Sequence, residues 1–205
     1  MKGKVSNVDE KLRPVWLLDV DGVINVPWRH PQGGPWERED WRRLRVANTD
    51  ILVSQPVLDF ITRMHEEGLV EVRWHTAWQE HALELGEALG LPVFPVQPSP
   101  EWADRTTSVR PREGQVWFKL PAAQRVVEQE ERALVWTDDD LAYRPTETTR
   151  ALRAMRKLRP VLTVAPSDRT ALTPKHLRQI EAFLRAQSDA GHTEELTTPL
   201  QRSTV

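Results

Sequence analysis

The chain has 205 residues, with 28 Lys+Arg against 30 Asp+Glu, a net charge of −2 and no cysteine. That length suits one domain with a sizeable core, and the balanced charge argues against a generally basic nucleic-acid binder while allowing a local basic patch. The lack of cysteine excludes disulfides, thiolate nucleophiles and cysteine-ligated zinc. No apolar run reaches the roughly 20 residues that span a bilayer, and Met1–Asn7 lacks the apolar centre of a signal peptide, so a soluble cytoplasmic protein is expected.

Residues 1–13 are polar and read as a flexible leader. Val15-Trp16-Leu17-Leu18 is an apolar run without alternation, the pattern of a strand buried on both faces in a parallel sheet. It runs directly into Asp19-Val20-Asp21-Gly22. Val26 to Trp36 is too rich in Pro and Gly for a helix, and Trp41–Val46, with Leu44 and Val46 alternating with arginines, predicts a short strand or flap. Residues 27–55 therefore form a small insert. Gln55–Gly68 predicts a helix with Pro56 in its first turn, Val57, Phe60, Ile61 and Met64 on one face, and Gly68 as its stop.

Leu69–Trp74 is a second strand, ending at His75-Thr76-Ala77-Trp78, and Glu80–Leu89 is a helix closed by Gly90. Pro92–Val96 reads as a short third strand ahead of a Pro-rich loop over 97–114. Trp117–Leu120 leads into a helix from Pro121 to about Glu131 with Ala122, Val126 and Val127 inward. Arg132–Thr137 is another buried strand, ending at Asp138-Asp139-Asp140. The stretch 141–157 is basic and partly helical, and Pro160–Pro166 is a further strand. A final helix spans Leu172–Leu184, with Thr173 as N-cap and Pro174 at its first position. The domain is expected to cover 14–185, with 186–205 a disordered tail.

Strands alternating with helices predict an α/β fold: a three-layer, Rossmann-like parallel sheet with helices on both faces and only a small flap. Ligands of such sheets bind in the crevice at the strand C-terminal ends. There the chain sends Asp19, Asp21, Thr76, Asp138 and Asp139, with Lys119 close by at a helix start. Side chains of a strand alternate, so Asp19 and Asp21 are expected on one side and Val20 on the other. Two carboxylates side by side repel unless a cation lies between them or one is protonated, and oxygen-rich sites suit Mg²⁺. The plainer alternative is a strand followed by a solvated Asp-Gly turn. Together the residues supply what phosphoryl transfer requires: a carboxylate nucleophile, an acid/base, metal ligands and fixed donors for the nonbridging oxygens.

Leu18-Asp19-Val20-Asp21-Gly22-Val23 resembles the first motif of the haloacid dehalogenase superfamily of Mg²⁺-dependent phosphohydrolases. Thr76, Lys119 and Asp138/Asp139 follow in the order of that family's remaining motifs, so the resemblance spans residues 15–140. It implies a phosphatase with Asp19 as nucleophile and Asp21 as acid/base with its backbone carbonyl on the metal. It further implies Thr76 and Lys119 as phosphate clamps, and Asp138 completing the metal shell with Asp139 as second candidate. Arg125 and Arg110 compete with Lys119. The segments Trp74-His75-Thr76-Ala77-Trp78, Trp136-Thr137-Asp138-Asp139 and Leu172–Leu177 add a resemblance to the phosphatase-type domain associated with "Swiss army knife" RNA repair proteins. That association implies phosphate removal from nucleic-acid ends or nucleotides.

The insert is too short for a large cap, so an open crevice is expected. Trp28, Arg29, Trp41 and Arg42 in the insert, with Trp78, are candidate substrate-binding residues because aromatics among arginines suit bases and phosphates; the other reading is a flap packed by its tryptophans. A small-metabolite phosphatase is the alternative within enzymes. A phospho-accepting regulatory domain also uses Asp, Thr, Lys and an acidic pair, but there the pair follows the first strand, whereas here Asp-x-Asp-Gly comes first. A non-catalytic phosphate-binding domain is the remaining alternative.

Overall fold

The computed structural model describes residues 13–27, 34–103, 107–108, 116–143 and 146–197. Strand β1 (Val15–Leu18) lies inside a parallel sheet, flanked by β4 (Glu71–Trp74) and by β7 (Leu134–Thr137), with β8 (Val161–Val164) outside β7. All four β1 residues are wholly buried because the sheet is covered on both sides. Trp16 and Leu18 enter one core with residues of α1 (Gln55–Glu66), α2 (His81–Leu89) and α5 (Pro174–Thr197). Val15 and Leu17 enter the other, with α3 (Lys119–Glu128) and α4 (Thr146–Leu158). This is the expected α/β architecture of helices flanking a parallel sheet. Each aliphatic side chain so buried contributes about 1.5–3 kcal/mol. Trp16 leaves no unsatisfied indole, since its Nε1–H donates to Thr137 Oγ1 at 3.0 Å across β1 and β7.

The described residues of the insert include a hairpin. β2 (Trp41–Val46) pairs antiparallel with β3 (Thr49–Ser54) through a two-residue turn, Ala47-Asn48, in which both residues have positive φ, 47° and 63°. The hairpin joins the main fold through the loop after β1: Val26 N–H donates to Leu52 O, and Asn25 forms a bridge with Val53. Short pairs β5 (Thr107–Ser108) and β6 (Val116–Trp117) make a third, two-stranded sheet.

Several expectations change. Pro92–Val96 is not a strand; only Val96 bridges to Trp74, because Pro92 and Pro95 have no N–H to donate to a ladder. α3 starts at Lys119 rather than Pro121 and ends at Glu128, with Pro121 in the first turn where N–H groups need no helical partner. α5 continues to Thr197, well past the expected end near 185. The expected leader except Arg13, most of the 104–115 loop, and residues 198–205 lie outside the described residues.

At the end of the sheet opposite the acids, Arg73 pairs with Glu71 at 2.6 Å and with both oxygens of Glu130 at 2.7 Å, while Arg132 pairs with the other oxygen of Glu71. Burial works against the Glu71 carboxylate, but the two guanidinium hydrogen bonds outweigh it and hold its pKa below the usual range.

Candidate active site

Asp19 is the first residue after β1, and its N–H still donates to Thr137 O at 3.2 Å. Asp138 follows β7, with its N–H on Val164 O at 3.1 Å. Adjacent parallel strands thus end together and place two buried carboxylates side by side, Asp19 at 6 % exposure and Asp138 at 0 %. Lys119 resolves their repulsion. Its Nζ lies 2.7 Å from Asp19 Oδ2 and 2.6 Å from Asp138 Oδ2, and it is itself 3 % exposed. The ammonium sits 5.9 Å from the ring centroids of both Trp117 and Phe118, so neighbouring aromatics aim it inward. Burial disfavours the ammonium, yet the charges of Asp138 and Asp19 outweigh it and raise its pKa, making Lys119 a permanent cation.

Asp139 completes an acidic group. Carboxylate oxygens of Asp19, Asp138 and Asp139 lie within 4.8 Å of one another, a spacing and donor type suited to a hard divalent cation. Gly22 is required beside them. Its φ is +73°, and a Cβ built there would lie 2.5 Å from Asp139 Cγ. Asp138 has both oxygens engaged by protein donors, Oδ2 by Lys119 and Oδ1 by the Asp140 N–H at 3.1 Å.

Asp21 departs from the strand geometry expected for it. β1 ends at Leu18, and the Val20 carbonyl accepts N–H bonds from Val23, Ile24 and Asn25, so the chain turns before Asp21. Strand alternation stops there, leaving Asp21 exposed while Asp19 is buried. The Asp21 carboxylate accepts from Asn25 Nδ2 at 2.6 Å and from Trp78 Nε1 at 2.9 Å. Thr76 is buried just beyond β4, at the same end of the sheet, and its Oγ1 accepts the Trp78 N–H at 3.3 Å. Buried His75 beside it, 5.6 Å from Trp136 between ring centroids, stays neutral because burial and then the charges of Lys119 and Arg125 lower its pKa.

The sequence candidates thus separate. Asp19, Lys119, Asp138 and Asp139 come together, and Trp78 reaches Asp21. Trp41 packs against Val26, Leu52 and Ala171, while Arg42 donates to Gln55 Oε1 at 2.7 Å. Arg125 is committed to Glu101 and the Pro98 carbonyl, so it does not displace Lys119. Trp28, Arg29 and Arg110 lie outside the described residues. Asn25 was missed. Nothing in its local sequence distinguishes it, because its role is set by the Leu52 N–H that its Oδ1 accepts at 2.9 Å. Comparison of the chain with protein-family models, with curated proteins and with solved structures returns no match.

Proposed function

We propose that this chain is a Mg²⁺-dependent phosphoric monoester hydrolase of the haloacid dehalogenase type, working through an aspartyl-phosphate on Asp19. The observation that carries the reading is the buried Asp19–Lys119–Asp138 bridge at the ends of β1 and β7. Two buried carboxylates bridged by a buried lysine, at the strand ends where parallel sheets bind ligands, support the reading of Asp19 as a nucleophile with a cation and further acids beside it. Asp19, Asp139 and Asp138, with the main-chain carbonyl of Asp21, are the groups that would hold Mg²⁺. When bound, the ion offsets the repulsion between a carboxylate and an anionic phosphoryl group.

With Asp19 Oδ2 held by Lys119, Oδ1 is the attacking atom. The new Asp19 O–P bond forms as the ester P–O bond breaks, and the electron pair leaves with the ester oxygen, which takes a proton from Asp21. Water then attacks phosphorus and gives its proton to Asp21, and the Asp19 carboxylate departs, releasing phosphate. Lys119 Nζ and the Thr76 hydroxyl supply donors to the phosphoryl oxygens through both steps. Asp21 is exposed, so the site is open to a large phosphorylated substrate, such as a nucleic-acid end, as well as to a small metabolite.

The test is phosphate release with Mg²⁺ from p-nitrophenyl phosphate, nucleotides, oligonucleotides with terminal phosphates, sugar phosphates and phosphopeptides. Turnover abolished in Asp19→Asn is expected; turnover unchanged by that substitution refutes the reading. An oligonucleotide outcompeting mononucleotides, with binding weakened by salt, supports the nucleic-acid end, whereas equal, salt-insensitive turnover favours a small-metabolite enzyme.

A further inference from the structure

Asp21 is gripped at both oxygens by two donors of different character. Asn25, 1 % exposed, donates Nδ2–H to Oδ1 at 2.6 Å. Its amide can point only one way, because its Oδ1 accepts the Leu52 N–H at 2.9 Å and the facing group must then be the NH₂. The Asn25 backbone is fixed as well: its N–H donates to Val20 O and its carbonyl accepts the Gly22 N–H, both at 2.9 Å. Asn25 is therefore a rigid strut from β3 of the hairpin to Asp21. Trp78 comes from the turn after β4. Its Nε1–H donates to Asp21 Oδ2 at 2.9 Å, with the ring half-buried against the main core and the contact itself at the surface.

We infer that Asn25 and Trp78 are positioning residues for Asp21: Asn25 locks Oδ1, and Trp78, donating to Oδ2, holds that proton-transferring oxygen in place while it passes its proton to the leaving oxygen of the substrate and gains charge. The assignment follows from the two environments. The buried strut has every polar atom committed, whereas the Trp78 contact lies at the rim and leaves Oδ2 within reach of substrate. A second consequence is that the hairpin, through Leu52 and Asn25, sets the position of the acid/base. The inference rests on the phosphatase reading and assigns two residues to its proton-transfer step.

Two measurements test it. In ¹⁵N–¹H spectra, the Trp78 indole resonance, assigned by its loss in Trp78→Phe, should move in Asp21→Asn more than the other indoles; an unmoved resonance overturns the tether. In kinetics, the readout is kcat/KM for an alkyl phosphate, whose leaving oxygen needs a proton, relative to an aryl phosphate, whose leaving oxygen hardly does. Trp78→Phe keeps an aromatic side chain and removes the donor, so that ratio should fall about tenfold, the effect of one hydrogen bond to a charged group. The fall should disappear in an Asp21→Asn background, because Trp78 acts through Asp21. An unchanged ratio, or a loss that persists in Asp21→Asn, overturns the assignment alone. Wild-type protein inactive on both esters overturns the phosphatase reading and this assignment with it.

Discussion

Replacing Lys119 by methionine removes the cation between two buried carboxylates while keeping most of the apolar stem. The Nζ contacts of 2.7 and 2.6 Å correspond to a Coulomb attraction of about 6 kcal/mol each at an effective dielectric of about 20. Much of that is offset by the cost of taking the ammonium and carboxylates out of water, which is several kcal/mol per ion. What remains on deleting one partner of such a bridge is a loss of about 3–5 kcal/mol, because the surviving charges stay buried without compensation. For a chain of this size that is a fall in melting temperature of about 6–20 °C. Circular dichroism melts near neutral pH in a chelator would read it. Two further results are expected if uncompensated charge is the cause. Adding Asp138→Asn to Lys119→Met should restore stability rather than lower it further, and Mg²⁺ should stabilise Lys119→Met more than wild type. A Lys119→Met protein melting with wild type, or a double variant as unstable as the sum of the two singles, would show that uncompensated buried charge is not what Lys119 relieves.

Glu71→Gln should cost about 2 kcal/mol at neutral pH, since it weakens charge-assisted bonds to Arg73 and Arg132. The Glu71 pKa is depressed on folding, so this contribution is present above the unfolded carboxyl pKa of about 4.3 and is lost as pH falls through the folded value. The melting curves of variant and wild type should therefore converge in acid, and a gap that stays constant down to acid unfolding contradicts the assignment. Gly22→Ala should cost about 1–2 kcal/mol from its positive φ and, by displacing Asp139, weaken Mg²⁺ binding in a calorimetric titration. Unaltered Mg²⁺ affinity would remove Asp139 from the ligand set.

The central strand was legible in the sequence because Val15–Leu18 is buried on both faces, and burial of that kind erases alternation. Asp19, Lys119 and Asp138 were legible too, since each directly follows or opens an apolar element. The Asp21 side was less so. Period-two reasoning holds only as far as the strand does, and Val20 begins a turn. The second strand of the hairpin was hidden by its turn: Ala47-Asn48 adopts positive φ at both positions without the glycine that usually announces it. The continuation of α5 was hidden by the loss of apolar periodicity after Leu184, where Arg185 instead pairs with Glu67 of the α1 C-terminus at 3.0 Å and with Glu181 at 2.8 Å. Asn25 lay beyond local reading altogether, because a contact across 27 residues gives it its orientation.

The proposed chemistry turns on Asp19 as the attacking group, and an acyl-phosphate can be trapped chemically. Borohydride reduces such a mixed anhydride to an alcohol, converting the attacked aspartate to homoserine. Protein quenched during turnover with Mg²⁺ and a phosphate monoester, then reduced and digested, should carry that mass change at Asp19 and nowhere else, and only when substrate and Mg²⁺ are both present. Reduction at Asp21, Asp138 or Asp139 in place of Asp19, or steady turnover with no trapped aspartate, would contradict the account.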